Sequence, residues 1–114
     1  MNVIHLSGNI GQDPKLRETN SGKAVLNLQL AVDRNFTEGT DWIPLVLWGG
    51  QATHQARWLQ QGSRIQITGR LQTRTWQDRE GNNRSAMEVV VSDVEWLGHI
   101  KSLEKAKADT EKSP

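Results

Sequence analysis

Apolar and polar residues alternate along three stretches in the first half of the chain. Residues 3–11, 24–33 and 42–48 each place an apolar side chain at nearly every second position. Because a strand sends successive side chains to opposite faces, each stretch predicts a half-buried strand. Residues 12–22 are polar and rich in turn formers, which predicts a loop. Pro44 cannot donate a ladder hydrogen bond, so it predicts an edge position or a bulge in the third strand.

The second half of the chain predicts one helix and two longer strands. Residues 51–61 place their few apolar side chains at helical spacing, and Gly62 is suited to terminate that helix. Strands are expected over about residues 63–76 and 85–97, with a turn around residues 80–82. The order strand, strand, strand, helix, strand, strand is that of the OB-fold. We therefore predict an all-β fold with one helix, closed as a five-stranded Greek-key barrel.

The length of 114 residues suits a single compact domain, expected over residues 1–100. Residues 101–114 have few large apolar side chains, which predicts a short, weakly ordered tail. The last strand carries valines on both parities, which favours a partner chain against it. The chain has no cysteine, no basic leader and no run of roughly 18 apolar residues. A soluble cytoplasmic protein with no membrane partner is expected.

One parity of the fourth predicted strand combines cationic side chains with a large flat ring. That parity consists of Arg70, Gln72, Arg74 and Trp76. The opposite parity is core-like and consists of Ile65, Ile67 and Leu71. The net charge is only +1, yet residues 57–84 hold six arginines against two acids. This asymmetry favours a polyanionic partner, although arginines that merely decorate an exposed sheet are the alternative interpretation.

The chain has five tryptophans, one phenylalanine and no tyrosine. A domain this small has limited room to bury five indole rings completely. Trp42 and Trp48 share the non-core face of the third strand, so we expect partial exposure there. Trp58 lies beside Leu59 and is expected to pack against the barrel. Trp96 is expected in the core or at a subunit interface.

No catalytic or metal-binding pattern occurs in the chain. The three histidines, His5, His54 and His99, are scattered without ligand spacing. No nucleophile elbow, phosphate loop or paired carboxylate motif is present. We expect no enzyme activity, no metal site and no cofactor.

Four segments resemble the bacterial single-stranded DNA-binding protein family over about residues 3–98. They are SGNIGQDPKLR, NLQLAV, TDWIPLVLWG and GSRIQITGRLQTRTWQDREGNNR. The resemblance implies a homotetramer of OB-folds, a dimer of dimers, that wraps and protects single strands in replication, recombination and repair. It also implies a location on the nucleoid.

The same resemblance assigns the stacking aromatic residues to Phe36, Trp42, Trp48 and Trp76. Arg74 is similar to an arginine that contacts phosphate in the family. Aromatic stacking tolerates any base, whereas arginine contacts make affinity depend on salt. The polar candidates are Arg34, Arg64, Arg70, Gln72, Arg74, Arg79 and Arg84.

Two departures from the family affect the expected partners. The connection between Phe36 and Trp42 is short and carries Glu38 and Asp41 but no lysine, which predicts a smaller phosphate footprint. The chain ends KADTEKSP, without the acidic tip through which the family recruits replication and repair proteins. Alternatives are a relative of the N-type primosomal replication protein and an OB-fold protein-interaction module. The choice between DNA and RNA stays open.

Overall fold

The computed structural model describes residues 1–99, so the predicted tail of residues 101–114 lies outside the described part. The described chain forms strands and one helix in the predicted order, with one additional strand. The elements are β1 (Ile4–Ile10), β2 (Lys15–Glu18), β3 (Ala24–Asp33), β4 (Thr40–Trp48), α1 (Gly49–Ala56), β5 (Ser63–Gln77) and β6 (Asn83–His99).

The strands close into a ring because β1 pairs on both of its sides. It pairs antiparallel with β5 over Ile4 to Asn9 and with β3 at Asn9 and Ile10. The remaining sheet order runs β5, β6, β4 and β3, which completes the ring. Five strands with one helix between the third and fourth members of the ring form the predicted OB-fold.

The predicted alternation accounts for the interior of the ring. Leucine and isoleucine side chains from four strands pack together, and Leu59 and Ala52 close one end. Those that are at most 1% exposed are Ile10, Leu26, Leu30, Leu45, Leu47, Ile65 and Ile67. Val25 and Val46 are also buried, although they belong to the opposite parity of their strands.

The segment predicted as a loop contains β2, which is a correction. Lys15–Glu18 pairs antiparallel with Ala24 to Asn27 of β3, and all four residues are exposed. None of its side chains reaches the core, so the strand shows no apolar period that could reveal it. The expectation for Pro44 was also wrong in part, since β4 pairs with β3 on one side and with β6 on the other. The pairing with β6 covers only Leu45 and Val46, which leaves Pro44 just outside it.

The helix ends at Ala56, earlier than predicted, and this corrects the expectation for Trp58. The N–H groups of Trp58 and Leu59 both donate to the Gln55 carbonyl oxygen, at 3.1 and 3.0 Å, in a tight turn. The turn directs Leu59 into the core and leaves Trp58 45% exposed. Trp96 packs partly buried against the core, as expected.

Beyond the barrel, β5 and β6 continue as a two-stranded arm. Pairing of β1 with β5 stops at Gly69, and β4 reaches β6 only at Val89 and Val90. We call residues 71–77 and 83–88 the ribbon. Leu71, predicted as core, is 38% exposed because it lies where the barrel has ended. Within residues 1–99, no helix has the length and apolar composition needed to cross a lipid bilayer.

Candidate nucleic-acid interface

One side of β4 forms a continuous surface with the strands on its two flanks. Trp48 lies opposite Val25 of β3, and Val46 lies between Asn27 of β3 and Val90 of β6. Directly paired residues project to the same face of a sheet. Because the intervening leucines of β4 fill the core, these side chains lie on the outside of the barrel.

The same surface extends onto β2 and along the ribbon. Lys15 and Arg17 pair with Asn27 and Val25, and Arg70 of β5 pairs with Val90. We call this surface the outer face. Its members are Lys15, Arg17, Asn27, Trp42, Val46, Trp48, Arg70, Gln72, Arg74, Trp76, Arg84, Glu88 and Val90.

The tryptophans of the outer face are partly exposed, as their parity predicts. Trp42 is 56%, Trp48 38% and Trp76 39% exposed, so each ring offers surface to a ligand. Phe36 is 98% exposed, but it lies in the loop between β3 and β4 rather than on the sheet.

A groove of about 380 Å³ crosses the middle of the outer face. Arg17, Asn27 and Trp48 line one side of it, and Arg74 and Glu88 of the ribbon line the other. The groove therefore brings Trp48 and Arg74, which are 26 positions apart in sequence, to a single concavity. Lys23 lies over the Trp48 ring with its Nζ 5.5 Å from the ring centroid, so another cation stands beside this groove.

Trp42 occupies the far end of β4 and lines a second concavity with Gly11, Gln12 and Gln29. A side chain at Gly11 would collide with the Trp42 ring, so the glycine allows the indole to lie flat against the backbone of the β1–β2 connection. Trp42 and Trp48 are six positions apart along the strand, roughly 20 Å at 3.3 Å per residue. The two rings therefore mark separate contact points.

Three of the six candidate arginines have carboxylate partners within the chain. Arg34 Nε lies 3.0 Å from Asp41, Arg74 Nε 3.3 Å from Glu88 and Arg84 Nε 3.0 Å from Asp78. The Arg34–Asp41 pair is exposed on both sides, and a pair of that kind contributes little to stability. All three pairs reduce the positive charge that each arginine presents to a ligand.

The other candidates are spread over the molecule. Arg70 donates to Gln72 at 3.4 Å on the outer face. Arg79 is exposed in residues 78–82, which connect the two strands of the ribbon and are called the ribbon turn. Arg64 is not brought to the central groove. It donates to Asn9 at 2.8 Å and lines a different concavity with residues of β1.

Prediction from the sequence missed the cations of β2 and its turn. Arg17 donates from Nε and Nη2 to the side-chain oxygen of Asn27, at 3.1 and 3.0 Å, when the Asn27 amide is oriented to accept. Lys15 and Arg17 are two positions apart, which is the spacing of side chains on one face of a strand. In a segment whose turn formers predict a loop, that spacing does not indicate a strand.

The ribbon turn is organised around the Asp78 carboxylate. The N–H groups of Asn82 and Glu80 donate to it at 2.9 and 3.0 Å, and Arg84 donates from Nε. The bond from the Asn82 N–H, helped by Arg84 and Glu80 and opposed by burial, lowers the pKa of Asp78 below its usual value of 3.8. A carboxylate held by such donors is favoured in its charged form.

The turn is therefore expected to loosen in acid. Because the folded-state pKa of Asp78 is depressed, its stabilising effect is present above the unfolded value and is lost as the pH falls through the folded value, below about pH 4. We expect the Asn82 amide resonance to shift in that range in an NMR titration. In Asp78→Asn the transition should vanish, and an unchanged titration in that variant would assign it to another group.

Comparisons with known proteins agree with the fold. A sequence model described as the "Single-strand binding protein family" matches residues 1–97. The chain is 39% identical to "Single-stranded DNA-binding protein 1" of Chlorobaculum tepidum, over 86% of this chain and 65% of the relative. It is 40% identical to "Single-stranded DNA-binding protein" of Clostridium tetani, over 85% of this chain and 70% of the relative.

A relative from Clostridium acetobutylicum, "Single-stranded DNA-binding protein 2", is 40% identical over 85% of this chain and 77% of its own length. The chain thus spans about two thirds to three quarters of the length of these relatives. The matches bear out the expected OB-fold and the expectation of a protein that is not an enzyme. By fold, by matched length and by identity, this chain belongs to the single-strand binding protein family.

Proposed function

We propose that the chain binds and protects single-stranded DNA without sequence preference. The proposal depends on one observation above all: Trp42, Trp48 and Trp76 lie partly exposed on one outer face that also carries cationic side chains. The family to which the chain belongs and the names of its relatives support the same ligand.

Base stacking supplies affinity that is independent of sequence. Each nucleobase has a flat π-face, and an aromatic platform is worth about 1–3 kcal/mol per base. Trp48 takes a base at the central groove and Trp76 takes one farther along the ribbon, where it lines a separate concavity with Arg84, while Trp42 and Phe36 extend the track toward the β3–β4 loop. The separation of these rings favours a strand that follows the barrel surface rather than one inserted into a pocket.

Phosphate contacts come from cations that have no carboxylate partner within hydrogen-bond reach in the described chain. Arg17, Lys15 and Arg70 meet that condition on the outer face, and Arg64 and Arg79 meet it elsewhere. Arg34, Arg74 and Arg84 contribute less because Asp41, Glu88 and Asp78 partly neutralise them. Gln72 faces the same surface but is bonded to Glu88 at 2.8 Å.

Arg17→Gln is expected to weaken the salt dependence of binding. Each phosphate contact on a single strand contributes about −0.7 to the slope of log K against log salt, so losing one should reduce the slope by that amount. Titrations of oligo-dT at several salt concentrations would measure it. Arg57→Gln, an exposed arginine next to the helix, is the control and should leave the slope unchanged. Equal slopes in the two variants would remove Arg17 from the interface.

The biological setting that we propose is DNA replication, recombination and repair, in the cytoplasm on the nucleoid. We propose a homotetramer, built as a dimer of dimers. The reverse side of the ribbon supports self-association, since Leu71 is 38% and Met87 52% exposed there. Size-exclusion chromatography with light scattering would give the mass, and a monomer at micromolar concentration would contradict this assembly.

The function is tested by titrating the protein with oligo-dT while following tryptophan fluorescence. We expect strong quenching that weakens with added salt and saturates at many nucleotides per subunit. Matched oligo-dC and oligo-dA should bind with similar affinity, because stacking does not read base edges. An unchanged signal together with no binding by anisotropy would instead favour a protein-interaction module.

A further inference from the structure

Glu88 is an acidic side chain in the middle of a surface that is proposed to bind a polyanion. It lines the central groove, and its side chain is only 12% exposed. A carboxylate at such a place repels phosphate and has lost much of its hydration. The loss of hydration must therefore be offset by contacts of the carboxylate with other side chains.

Both oxygens of Glu88 are occupied by side chains of the neighbouring strand. Gln72, which lies directly opposite in the β5–β6 register, donates from Nε2 to Oε2 at 2.8 Å. Arg74, which lies diagonally opposite, has its Nε 3.3 Å from Oε1. The hydrogen bond from Gln72 fixes the carboxylate relative to the ribbon, and the ion pair with that carboxylate restrains the Arg74 guanidinium.

The guanidinium that Glu88 holds lies over an indole ring. Arg74 Cζ is 4.4 Å from the centroid of the Trp76 ring, well within the range of a cation–π contact. One face of the Trp76 ring is thereby covered by Arg74, and stacking of a base is confined to the opposite face. Trp76 sits in a two-stranded ribbon that no other strand of the described chain flanks, so the side chains next to it on that face, Arg74 and the directly opposite Arg84, restrict its ring.

We propose that Glu88 is a positioning residue for base stacking: with Gln72 it holds Arg74 against Trp76, so that Arg74 supports the ring and does not neutralise a phosphate. This inference rests on the proposed function, since it assigns the means by which Trp76 is presented to a base. It also differs from the family resemblance, which implies that Arg74 contacts phosphate.

The charge-neutral double variant Arg74→Gln/Glu88→Gln distinguishes support from phosphate binding. Removing both members keeps the net charge of the outer face constant. We expect the affinity for oligo-dT to fall roughly two- to fivefold at every salt concentration, the size of an exposed cation–π contact. The slope of log K against log salt should stay as in the wild type. A slope reduced by about 0.7 would identify Arg74 as a phosphate contact and overturn the proposal.

The single variant Glu88→Gln gives a second, opposite expectation. It keeps the shape of the side chain but releases Arg74, which becomes available to phosphate, so the salt slope should steepen by up to about 0.7. A slope equal to that of the wild type would contradict the restraint that we assign to Glu88.

A measurement on the free protein separates this inference from the proposed function. The near-ultraviolet circular dichroism of Trp76, obtained as the difference between wild type and Trp76→Phe, reports how firmly the ring is held. We expect Glu88→Gln and the double variant to lose most of that difference signal while their thermal unfolding remains cooperative. An unchanged signal would overturn the positioning role even if oligo-dT binds. A wild type that does not bind oligo-dT would overturn the proposed function and with it the role in base stacking, and a lost signal would then show only that Glu88 restrains the Trp76 ring.

Discussion

Trp48→Ala/Trp76→Ala is expected to weaken binding to oligo-dT by about 30-fold or more. Each stacked base is worth about 1–3 kcal/mol, and each 1.4 kcal/mol corresponds to a factor of ten in affinity. Trp48 lines the central groove and Trp76 lines the next concavity along the ribbon, so their loss removes two separate stacking positions from the outer face. Because bases are bound without regard to identity, the loss should be similar for oligo-dT and oligo-dC. Fluorescence anisotropy of a labelled oligonucleotide measures it without relying on the tryptophans.

Two controls separate stacking from a general loss of structure. Trp58→Ala removes an indole of comparable exposure that lies in the turn after α1, and it should bind as the wild type does. Trp48→Phe/Trp76→Phe keeps aromatic faces and should recover most of the affinity. If the alanine pair binds within about threefold of the wild type while both controls fold, the outer face is not the stacking surface.

Much of the barrel follows from the period of two in the sequence. Leu26, Leu28 and Leu30 alternate with polar residues, and the structure buries them together. The reason is that a strand with one apolar face has only one orientation that removes that face from water. The short helix between the third and fourth predicted strands then indicates the OB-fold among the small β-barrels. Periodicity thus carries most of the information wherever a strand touches the core.

The errors occur where a segment makes no contact with the core. β2 is exposed along its whole length, so its sequence KLRE has no alternation to detect. Leu71 follows the parity of Ile65 and Ile67, yet the barrel ends before it and no second layer of the described residues packs on it. Trp58 is turned outward by a tight backbone turn that shortens the helix. The first two features depend on where neighbouring strands end and the third on where the helix ends, which a local pattern does not encode.

The site residues divide in the same way. The parity rule places Trp42, Trp48 and Trp76 outside the core, and their partial exposure agrees with it. The electrostatic state of the arginines could not be predicted, because Glu88 becomes the partner of Arg74 only through the register of β5 against β6. Sequence distance between the two is 14 residues, and nothing local joins them. The role of every candidate in binding DNA remains a prediction for the titrations above.

Gly69→Ala is expected to destabilise the barrel by about 1–3 kcal/mol, the usual cost of forcing a methyl group into a packed interior. A Cβ at this position would collide with the Val90 carbonyl oxygen and stand 2.8 Å from a methyl group of Val89. The Val90 carbonyl oxygen belongs to the backbone and cannot rotate away as a side chain could. The collision can therefore be relieved only if β5 and β6 separate at the register shift next to Gly69. The midpoint of thermal unfolding, followed by circular dichroism, should fall by about 4–8 °C per kcal/mol.

Gly50→Ala is the matched control for this substitution. Gly50 lies in α1 with open space where a Cβ would stand, and alanine is the better helix residue by roughly 0.5–1 kcal/mol. The control should therefore unfold at the same temperature as the wild type or higher, and equal midpoints for the two variants would contradict the close packing at Gly69. Because Gly69 lies just before the ribbon, separation of β5 from β6 there would also displace Arg74 from the central groove and shift Trp76 on the ribbon. Gly69→Ala should consequently bind oligo-dT more weakly than the control even well below its unfolding temperature.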